Sequence, residues 1–298
     1  MKKTLVFCFI LMLQKVSAQL PNFQINGYKM LDSMNGASLY SKSVRSKKAD
    51  YEVILQVIDL RYVKMGQWVS LATDLNAAPE GKYLAVEKYN KSPYFKMHQP
   101  NNTVAKLLNK YQTKLFSVMN AAFFEQYADS TQLAFPLKVQ GKIHTAGSSP
   151  YGPQKLPKHP HYKKVVLEAL VWTDSTVVMQ HYNTQTGYPL TSESVQNALV
   201  SYNYQDHPAV IIRESMPNRY HVLGTLSENN MPSHHLFILT VNKTTLENAA
   251  SELKQLGIKS TIMTVDGGSS VFIFNPKNGT LESPLATAFP HYLYFIGK

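Results

Sequence analysis

Runs of apolar, β-branched and aromatic residues recur along the chain and predict β-strands. The segments 51–60 and 235–241 are almost continuously apolar, as is typical of strands at the centre of a sheet. The segment 163–179 alternates apolar and polar residues, which also indicates sheet. Further strands are predicted at 61–95, 115–119, 260–265 and 292–296, with a turn at 76–81. The polar, turn-rich residues 20–50 are expected to form an extended lead-in.

Two segments have the spacing of an amphipathic helix instead. Residues 244–247, Thr-Thr-Leu-Glu, match a capping box, and the apolar residues that follow recur on one helical face. Gly257 then supplies a C-terminal stop. The apolar residues on that face are Leu246, Ala249, Ala250, Leu253 and Leu256. A second helix is predicted around 104–111, with Asn102 or Thr103 as its N-cap.

The helix that follows the capping box lies between two predicted strands, so residues 235–265 predict a strand, a helix and a strand. Such a unit is expected to have parallel strands and a right-handed crossover. Asp266 directly follows the second strand and would lie at its carboxyl end, where open sheets of this kind place their ligands. Asp266 is therefore the candidate for an active-site carboxylate.

The residues after Asp266 suit a place where a ligand approaches the backbone. Gly267 and Gly268 can adopt φ > 0 and leave room beside the main chain. Ser269 and Ser270 offer N–H and O–H donors to an anion or a sugar. However, Asp-Gly between two apolar runs is also the strongest short signal for a β-hairpin. A hairpin turn without chemistry is the alternative for this segment.

The predicted strand 115–119 repeats this layout, because it follows a helix and ends at the polar residue Asn120. If the strands 115–119 and 260–265 lie near each other, Asn120 and Asp266 face the same crevice. Asn is also a common turn or cap residue, which is the alternative for Asn120.

The N-terminus has the three regions of a secretory signal peptide over 1–18: two lysines, an apolar run and the small-residue site Val-Ser-Ala. One domain is expected over 19–298, because no linker-like composition divides it. No segment reaches the ~18 apolar residues of a membrane span, so stable membrane insertion is not expected. The single cysteine, Cys8, lies in the signal, which excludes thiolate catalysis and Cys-ligated zinc in the mature protein.

The chain is basic, with 30 Lys and Arg against 19 Asp and Glu. A basic exported protein can meet anionic glycans, phosphodiester polymers or membrane surfaces. No helix-turn-helix or repeated aromatic and basic platform is present, so nucleic acid is not expected as a partner. The fold class predicted from all these patterns is α/β or α+β, a mixed β-sheet with a few helices in a single domain.

Three segments together resemble motifs of the phosphodiester glycosidase family. Residues 266–270, Asp-Gly-Gly-Ser-Ser, resemble the family's Leu-Asp-Gly-Gly-Gly-Ser, with one glycine fewer. Residues 120–124, Asn-Ala-Ala-Phe-Phe, resemble Asn-Gly-Gly-Phe-Phe, with alanines in place of both glycines. Residues 218–224, which contain Arg219, resemble Arg-Thr-Ala-Ile-Gly. The motifs occur in the family's order and spacing, whereas the family's later Arg is missing.

The resemblance implies an exported hydrolase that cleaves the glycosidic bond of a sugar 1-phosphodiester without a cofactor. Asp266 would be the nucleophile or the stabiliser of an oxocarbenium-like transition state, and Asn120 would hold sugar hydroxyls or orient that carboxylate. Arg219 would bind the phosphate, since its planar fork can donate to two phosphate oxygens. The residues implied in substrate binding are Gly267, Gly268, Ser269, Ser270, Phe123 and Phe124.

Two other classes of function remain open. The crevice could hold a polysaccharide or another anionic glycan without catalysis. A metal-dependent phosphoesterase is disfavoured, because the only close histidine pairs are His159 with His161 and His234 with His235, which are expected on loops. No metal site is therefore predicted. No spacing identifies a second carboxylate, for which Glu125 and Glu214 are candidates.

Overall fold

The computed structural model describes residues 25, 27–45, 50–72, 93–124, 130–147, 165–211, 217–226, 231–258 and 260–298. The predicted signal peptide, the turn at 76–81, Glu125, Glu214 and the pair His159 and His161 lie outside the described residues.

Most of the described chain is β-strand. In chain order the strands are β1 (Lys29–Met34), β2 (Ala37–Arg45), β3 (Asp50–Asp59), β4 (Val63–Val69), β5 (Phe95–Lys96), β6 (Leu115–Asn120), β7 (Ser130–Thr131), β8 (Leu137–Val139), β9 (Lys142–Thr145), β10 (Leu167–Trp172), β11 (Val177–His181), β12 (Asn197–Asn203), β13 (Asn218–Thr225), β14 (His235–Thr244), β15 (Met263–Val265), β16 (Ile273–Asn275), β17 (Gly279–Glu282) and β18 (His291–Gly297). The helices are α1 (Pro100–Tyr111), α2 (Pro208–Ile211) and α3 (Leu246–Gln255).

The strands form two main sheets. The larger, with eleven strands, has the order β1-β2-β3-β14-β13-β15-β12-β10-β11, while β8 pairs with β12 and β9 pairs with β8. The smaller, with five strands, has the order β17-β16-β6-β18-β4. The paired strands in both sheets run antiparallel. The fold is therefore α+β in a single domain, and the α/β alternative is wrong.

The predicted strand, helix and strand over 235–265 are present as β14, α3 and β15, but they do not form a parallel pair. Strand β13 lies between β14 and β15 and is antiparallel to both. The two strands consequently run in the same direction without sharing hydrogen bonds. An apolar run predicts a buried strand but not which strands pair with it. Here β13, which precedes both strands in the chain, pairs with β14 and β15.

The predicted lead-in at 20–50 is also corrected. Strand β2 pairs with β3 along its whole length, from Ala37 opposite Ile58 to Arg45 opposite Asp50, and β1 adds the edge strand. The first four residues of β2 are buried. The segment looks polar because much of the remaining hairpin faces solvent, and pairing with β3 satisfies its backbone.

Helix α3 begins and ends by local signals. The N-cap is Thr245, one residue after the predicted position, and its side chain accepts a hydrogen bond from the Asn248 N–H. The helix ends at Gly257, as predicted. Gly257 has φ +89°, and the Ile258 N–H donates to the Leu253 carbonyl in the Schellman pattern.

Helix α1 begins earlier than predicted. Its N-cap is Gln99, without a side-chain cap, and Pro100 occupies the first turn. Asn102 and Thr103 are therefore helical residues and not caps. No described helix has the length and apolar character needed to cross a bilayer.

Four clusters of buried apolar residues hold the described chain together, and the two largest form layers on either side of the larger sheet. The layer between the sheets contains Ile58 and Leu223 from the larger sheet and Met119 and Phe295 from the smaller one. On the other face of the larger sheet, α3 packs against residues such as Val222. Because successive residues of a strand point to opposite faces, β13 contributes to both layers.

Candidate functional site

Asp266 lies where the chain passes from one sheet to the other. It follows β15 of the larger sheet and precedes β16 of the smaller sheet. Its N–H donates to the Ala121 carbonyl at 2.8 Å, which ties it to the end of β6. Since the flanking strands belong to different sheets, the segment is not a hairpin turn.

Asn120, the last residue of β6, contacts Asp266 directly. Its Nδ2 donates to the carboxylate Oδ2 of Asp266 at 3.1 Å and to the backbone carbonyl of Asp266 at 3.2 Å. Its Oδ1 accepts from the Phe272 N–H at 2.8 Å and contacts Nε2 of His221 at 3.0 Å. The amide thus makes the four hydrogen bonds that it can make. This arrangement suits orientation of the carboxylate and leaves no position for a sugar hydroxyl.

His221 of β13 connects Asn120 to the next strand. Its Nδ1 lies 2.8 Å from the hydroxyl of Thr240 on β14. Burial, together with the charge of Arg219, lowers the pKa of His221 to about 3, so the imidazole is neutral. The side chains from Thr240 to Asp266 therefore form one buried chain of hydrogen bonds that joins the two sheets.

The Asp266 carboxyl group is in an environment that favours its protonated form. Burial raises its pKa from 3.8 to about 7, although Ser270, Asn120 and the Gly267 backbone oppose this rise by hydrogen bonding. Only 7% of the residue is exposed. An acid that titrates near neutrality beside a cavity is characteristic of functional sites.

Each glycine after Asp266 has its own structural reason. A Cβ at position 267 would lie 2.9 Å from the Arg219 carbonyl oxygen, so that strand β13 could not stay in place. Gly268 has φ +63°, a conformation that other residues adopt only with strain. Both glycines line a cavity of about 430 Å³.

Aromatic side chains form a large part of the cavity wall. Phe123 and Phe124, both predicted from the sequence, line it together with Phe135, Tyr202, Tyr220 and His207. Phe123 packs edge-on against Phe135 and Tyr202, with ring centroids 6.0 and 5.5 Å apart. Because an aromatic wall presents flat apolar faces, the cavity suits a ligand with a non-polar face, such as a sugar ring.

The two serines predicted to bind substrate, Ser269 and Ser270, lie next to the cavity and are not among its lining residues. Ser270 is buried and its side chain is hydrogen-bonded to Asp266. The Ser269 carbonyl accepts from the N–H groups of Leu285 and Ala286, at 2.8 and 3.1 Å. These bonds hold the turn that carries Asp266 against the segment before β18.

The Arg219 side chain does not line the cavity that its two neighbours line. Asn218 and Tyr220 line the cavity, whereas Nη1 of Arg219 donates to the Ser283 carbonyl at 2.7 Å and lies 4.0 Å from Glu282. The register of β13 against β14 shifts between Asn218 and Tyr220, and such a bulge re-aims the side chain at that point. Nη2 is buried with no hydrogen-bond partner among the described residues.

Sequence reasoning missed the residues that the fold brings to this site from separate segments. His221 lies within the motif-like segment 218–224, where the resemblance singled out only Arg219. Tyr202 and His207 come from β12 and the turn after it, Tyr220 comes from β13, and the fold brings the three to one cavity. Only Tyr220 and His221 had a local signal, their place within the motif-like segment 218–224.

The described histidines and carboxylates do not gather into a metal centre. In the parts of the chain that the structure describes, no group of three or more His, Cys, Asp or Glu residues could hold a metal ion. His235 begins β14, as the predicted strand 235–241 indicates, and its Nε2 lies 3.4 Å from Asp59, so of this pair only His234 lies outside a strand.

The two packed sheets, with Asp266 where the chain passes between them, form a fold that is also found in a solved catalytic domain. The chain is similar to the catalytic domain of zebrafish N-acetylglucosamine-1-phosphodiester alpha-N-acetylglucosaminidase auto-inhibited by pro-peptide, with a TM-score of 0.51 and 10% identity over 88% of this chain and 83% of that one. The predicted resemblance is therefore confirmed at the level of the fold. At this identity the likeness shows a shared fold.

Two more distant structures also match. A hypothetical protein from Synechocystis has a TM-score of 0.48 and 10% identity, over 91% of this chain and 64% of that chain. A protein of Burkholderia pseudomallei with a provisional designation as exported has a TM-score of 0.41 and 8% identity, over 83% and 74%. No protein-family model and no curated protein matches the sequence.

Proposed function

We propose that this protein is a hydrolase that cleaves the glycosidic bond of a sugar 1-phosphodiester, with Asp266 as the catalytic carboxylate. The observation that carries the proposal is the position of Asp266, a buried acid with a pKa of about 7 between β15 and a turn that lines the aromatic cavity. The shared fold with the zebrafish catalytic domain supports this class of substrate.

The proposed reaction breaks the bond between the anomeric carbon and the phosphodiester oxygen. Positive charge develops on the sugar ring in the transition state, and a carboxylate beside the ring stabilises it or attacks it. The electron pair of the broken bond leaves on the phosphate, which is already a weak base. Protonation of the leaving group is therefore less important than in ordinary glycosidases, and Asp266 acts in its ionised form. A water oxygen then bonds to the anomeric carbon, directly or by displacing the Asp266 carboxylate from it, and the water's proton is released.

The cavity would take the sugar in this reaction. Phe123 and Phe124 supply flat apolar surfaces for a sugar face, and Gly267 and Gly268 let the ring approach the main chain near Asp266. Asn120 would orient the carboxylate from behind, because its own hydrogen bonds are used within the protein.

The proposed role of Asp266 predicts the pH dependence of hydrolysis. Because the ionised form is active, kcat/KM should rise about tenfold per pH unit at acidic pH and level off above the pKa of about 7. Initial rates from pH 5 to 9, at substrate concentrations well below KM, would measure this. A rate that instead falls above pH 7 would identify Asp266 as a proton donor and overturn the proposed role.

The activity itself is tested with a sugar 1-phosphodiester and a neutral glycoside of the same sugar, each assayed with and without a chelator. Cleavage of the phosphodiester at equal rates in both conditions supports the proposal. Cleavage that the chelator abolishes would indicate a metal-dependent phosphoesterase. Tight binding without cleavage would indicate a polysaccharide-binding protein.

Binding of the phosphate by Arg219 stays a prediction, which Nη2 supports because it has no partner among the described residues. Replacing Arg219 by Ala should reduce kcat/KM for the phosphodiester at least tenfold more than for the neutral glycoside. Arg219→Lys should recover only part of the loss, because an ammonium group cannot copy the planar fork. Equal losses on both substrates would show that the Arg219 side chain only holds the Ser283 segment in place.

We expect the protein to act outside the cytoplasm, since residues 1–18 have the pattern of a signal peptide. N-terminal sequencing of the mature protein would test this. A first residue at Gln19 is the expected result, and an intact N-terminus would contradict it.

A further inference from the structure

The chain of hydrogen bonds behind Asp266 has a defined direction. The Phe272 N–H can only donate, so the Asn120 atom 2.8 Å from it is the carbonyl oxygen. The Asn120 amino group must then face Asp266. His221 is neutral, and its Nε2 meets that same carbonyl oxygen at 3.0 Å, so the proton of the imidazole lies on Nε2. Nδ1 is left as the acceptor for the Thr240 hydroxyl at 2.8 Å.

Every donor in this chain therefore points toward the carboxylate. Thr240 donates to His221, His221 donates to Asn120, and Asn120 donates to Asp266. Hydrogen bonds in such a series polarise one another, and the effect is strongest where water is excluded. His221 is 0% exposed, Asn120 1% and Thr240 1%.

We propose that His221 is a positioning residue of the site, which orients and polarises the Asn120 amide and so stabilises the ionised form of Asp266. Its effect on reaction rate rests on the proposed function of Asp266. Its effect on the titration of Asp266 does not, and can be measured without a substrate.

Other groups also act on this hydrogen-bond chain and influence the pKa of Asp266 or of His221. Ser270 and the Gly267 backbone make hydrogen bonds to the Asp266 carboxylate, and Arg219 acts on His221 through its charge. These groups stay in place when His221 is changed. A shift in the titration of Asp266 would therefore report the contribution of His221 itself.

His291 provides a matched control within the same protein. Burial lowers its pKa to about 3, as for His221, and its Nδ1 accepts from the Ala122 N–H at 3.3 Å. It thus supports the same segment, 120–122, through the backbone. Unlike His221, whose Nε2 meets Asn120, its Nε2 lies 3.1 Å from Oε1 of Gln67.

The test is to follow the Asp266 carboxyl carbon by NMR as a function of pH in variants of the full mature chain. His221→Leu should raise the titration midpoint of Asp266 by about half a pH unit or more, because the Asn120 amino group then donates a weaker hydrogen bond to the carboxylate. His221→Gln, which keeps an N–H donor at a similar reach, should restore most of the wild-type midpoint. His291→Leu should lose stability while the midpoint stays in place.

A second pair of variants changes Thr240, which lies at the far end of the hydrogen-bond chain from Asp266. Thr240→Val removes the hydroxyl with little change in volume and should shift the midpoint in the same direction by a smaller amount, whereas Thr240→Ser should not. An unchanged midpoint in folded His221→Leu, or in Thr240→Val if the Leu variant does not fold, would overturn the inference. Shifted midpoints in a protein that cleaves no phosphodiester would overturn the proposed function alone.

Discussion

Replacing Asp266 by Asn should lower the rate of phosphodiester cleavage by several orders of magnitude and, at pH 8, raise the melting temperature. The rate falls because the amide has nearly the shape of the acid but cannot carry the negative charge that the transition state requires. Affinity for the uncleaved substrate should change little, so the loss is expected in kcat.

The gain in stability follows from the raised pKa of Asp266. Between pH 3.8 and about 7 the folded protein holds a proton that the unfolded chain has released, so the free energy of unfolding decreases as the pH rises through this window. The total loss has an upper limit of about 4 kcal/mol. Asn carries no such penalty, so the variant should melt on the order of 5–10 °C higher at pH 8. At pH 4 or below, the two proteins should melt together.

Asp59 provides a matched control of opposite sign. Burial alone would raise its pKa, but hydrogen bonds from Arg61 and the charges of His235 and Arg61 outweigh burial and lower it. Asp59→Asn should therefore destabilise the protein at pH 8. The measurement is thermal melting of both variants from pH 4 to 8, combined with rates on the same preparations. An Asp266→Asn variant with full activity would show that Asp266 has only a structural role.

Asn120→Ala should be among the most destabilising substitutions in the site. It leaves two buried donors, the Phe272 N–H and Nε2 of His221, without their acceptor. Each orphaned donor costs about 1–3 kcal/mol, so the free energy of unfolding should fall by roughly 2–6 kcal/mol. The pKa of Asp266 should also rise, because the carboxylate loses one of its donors.

Asn120→Asp separates the two roles that the sequence left open for this residue. The new carboxylate keeps an acceptor for Phe272 and His221 but brings a second acid within about 3 Å of Asp266, so that the pair is expected to share one proton. Urea unfolding, with the pH dependence of kcat and KM, measures both variants. An Asn120→Ala variant with unchanged stability and a raised KM alone would show that Asn120 holds the substrate.

Local patterns were sufficient for several elements of the core, including the strand that ends at Asn120. The strands β3, β6, β14 and β18 and helix α3 were all predicted close to their observed bounds. This is so because alternation, apolar runs and helix stop signals act within a few residues of one another. The layout of strands ending at Asn120 and Asp266 also led to the expectation of one crevice, and the structure brings these side chains within 3.1 Å.

Other features depend on contacts between residues that are far apart in the chain, and only the tertiary structure decided them. The insertion of β13 between β14 and β15 makes the sheet antiparallel there and brings His221 to Asn120, which lies 101 positions earlier in the sequence. The bulge in β13 directs Arg219 to Ser283, and the aromatic cavity is assembled from several segments. These outcomes follow from burying apolar faces and satisfying buried polar groups over the whole domain, a balance that no short stretch of sequence contains.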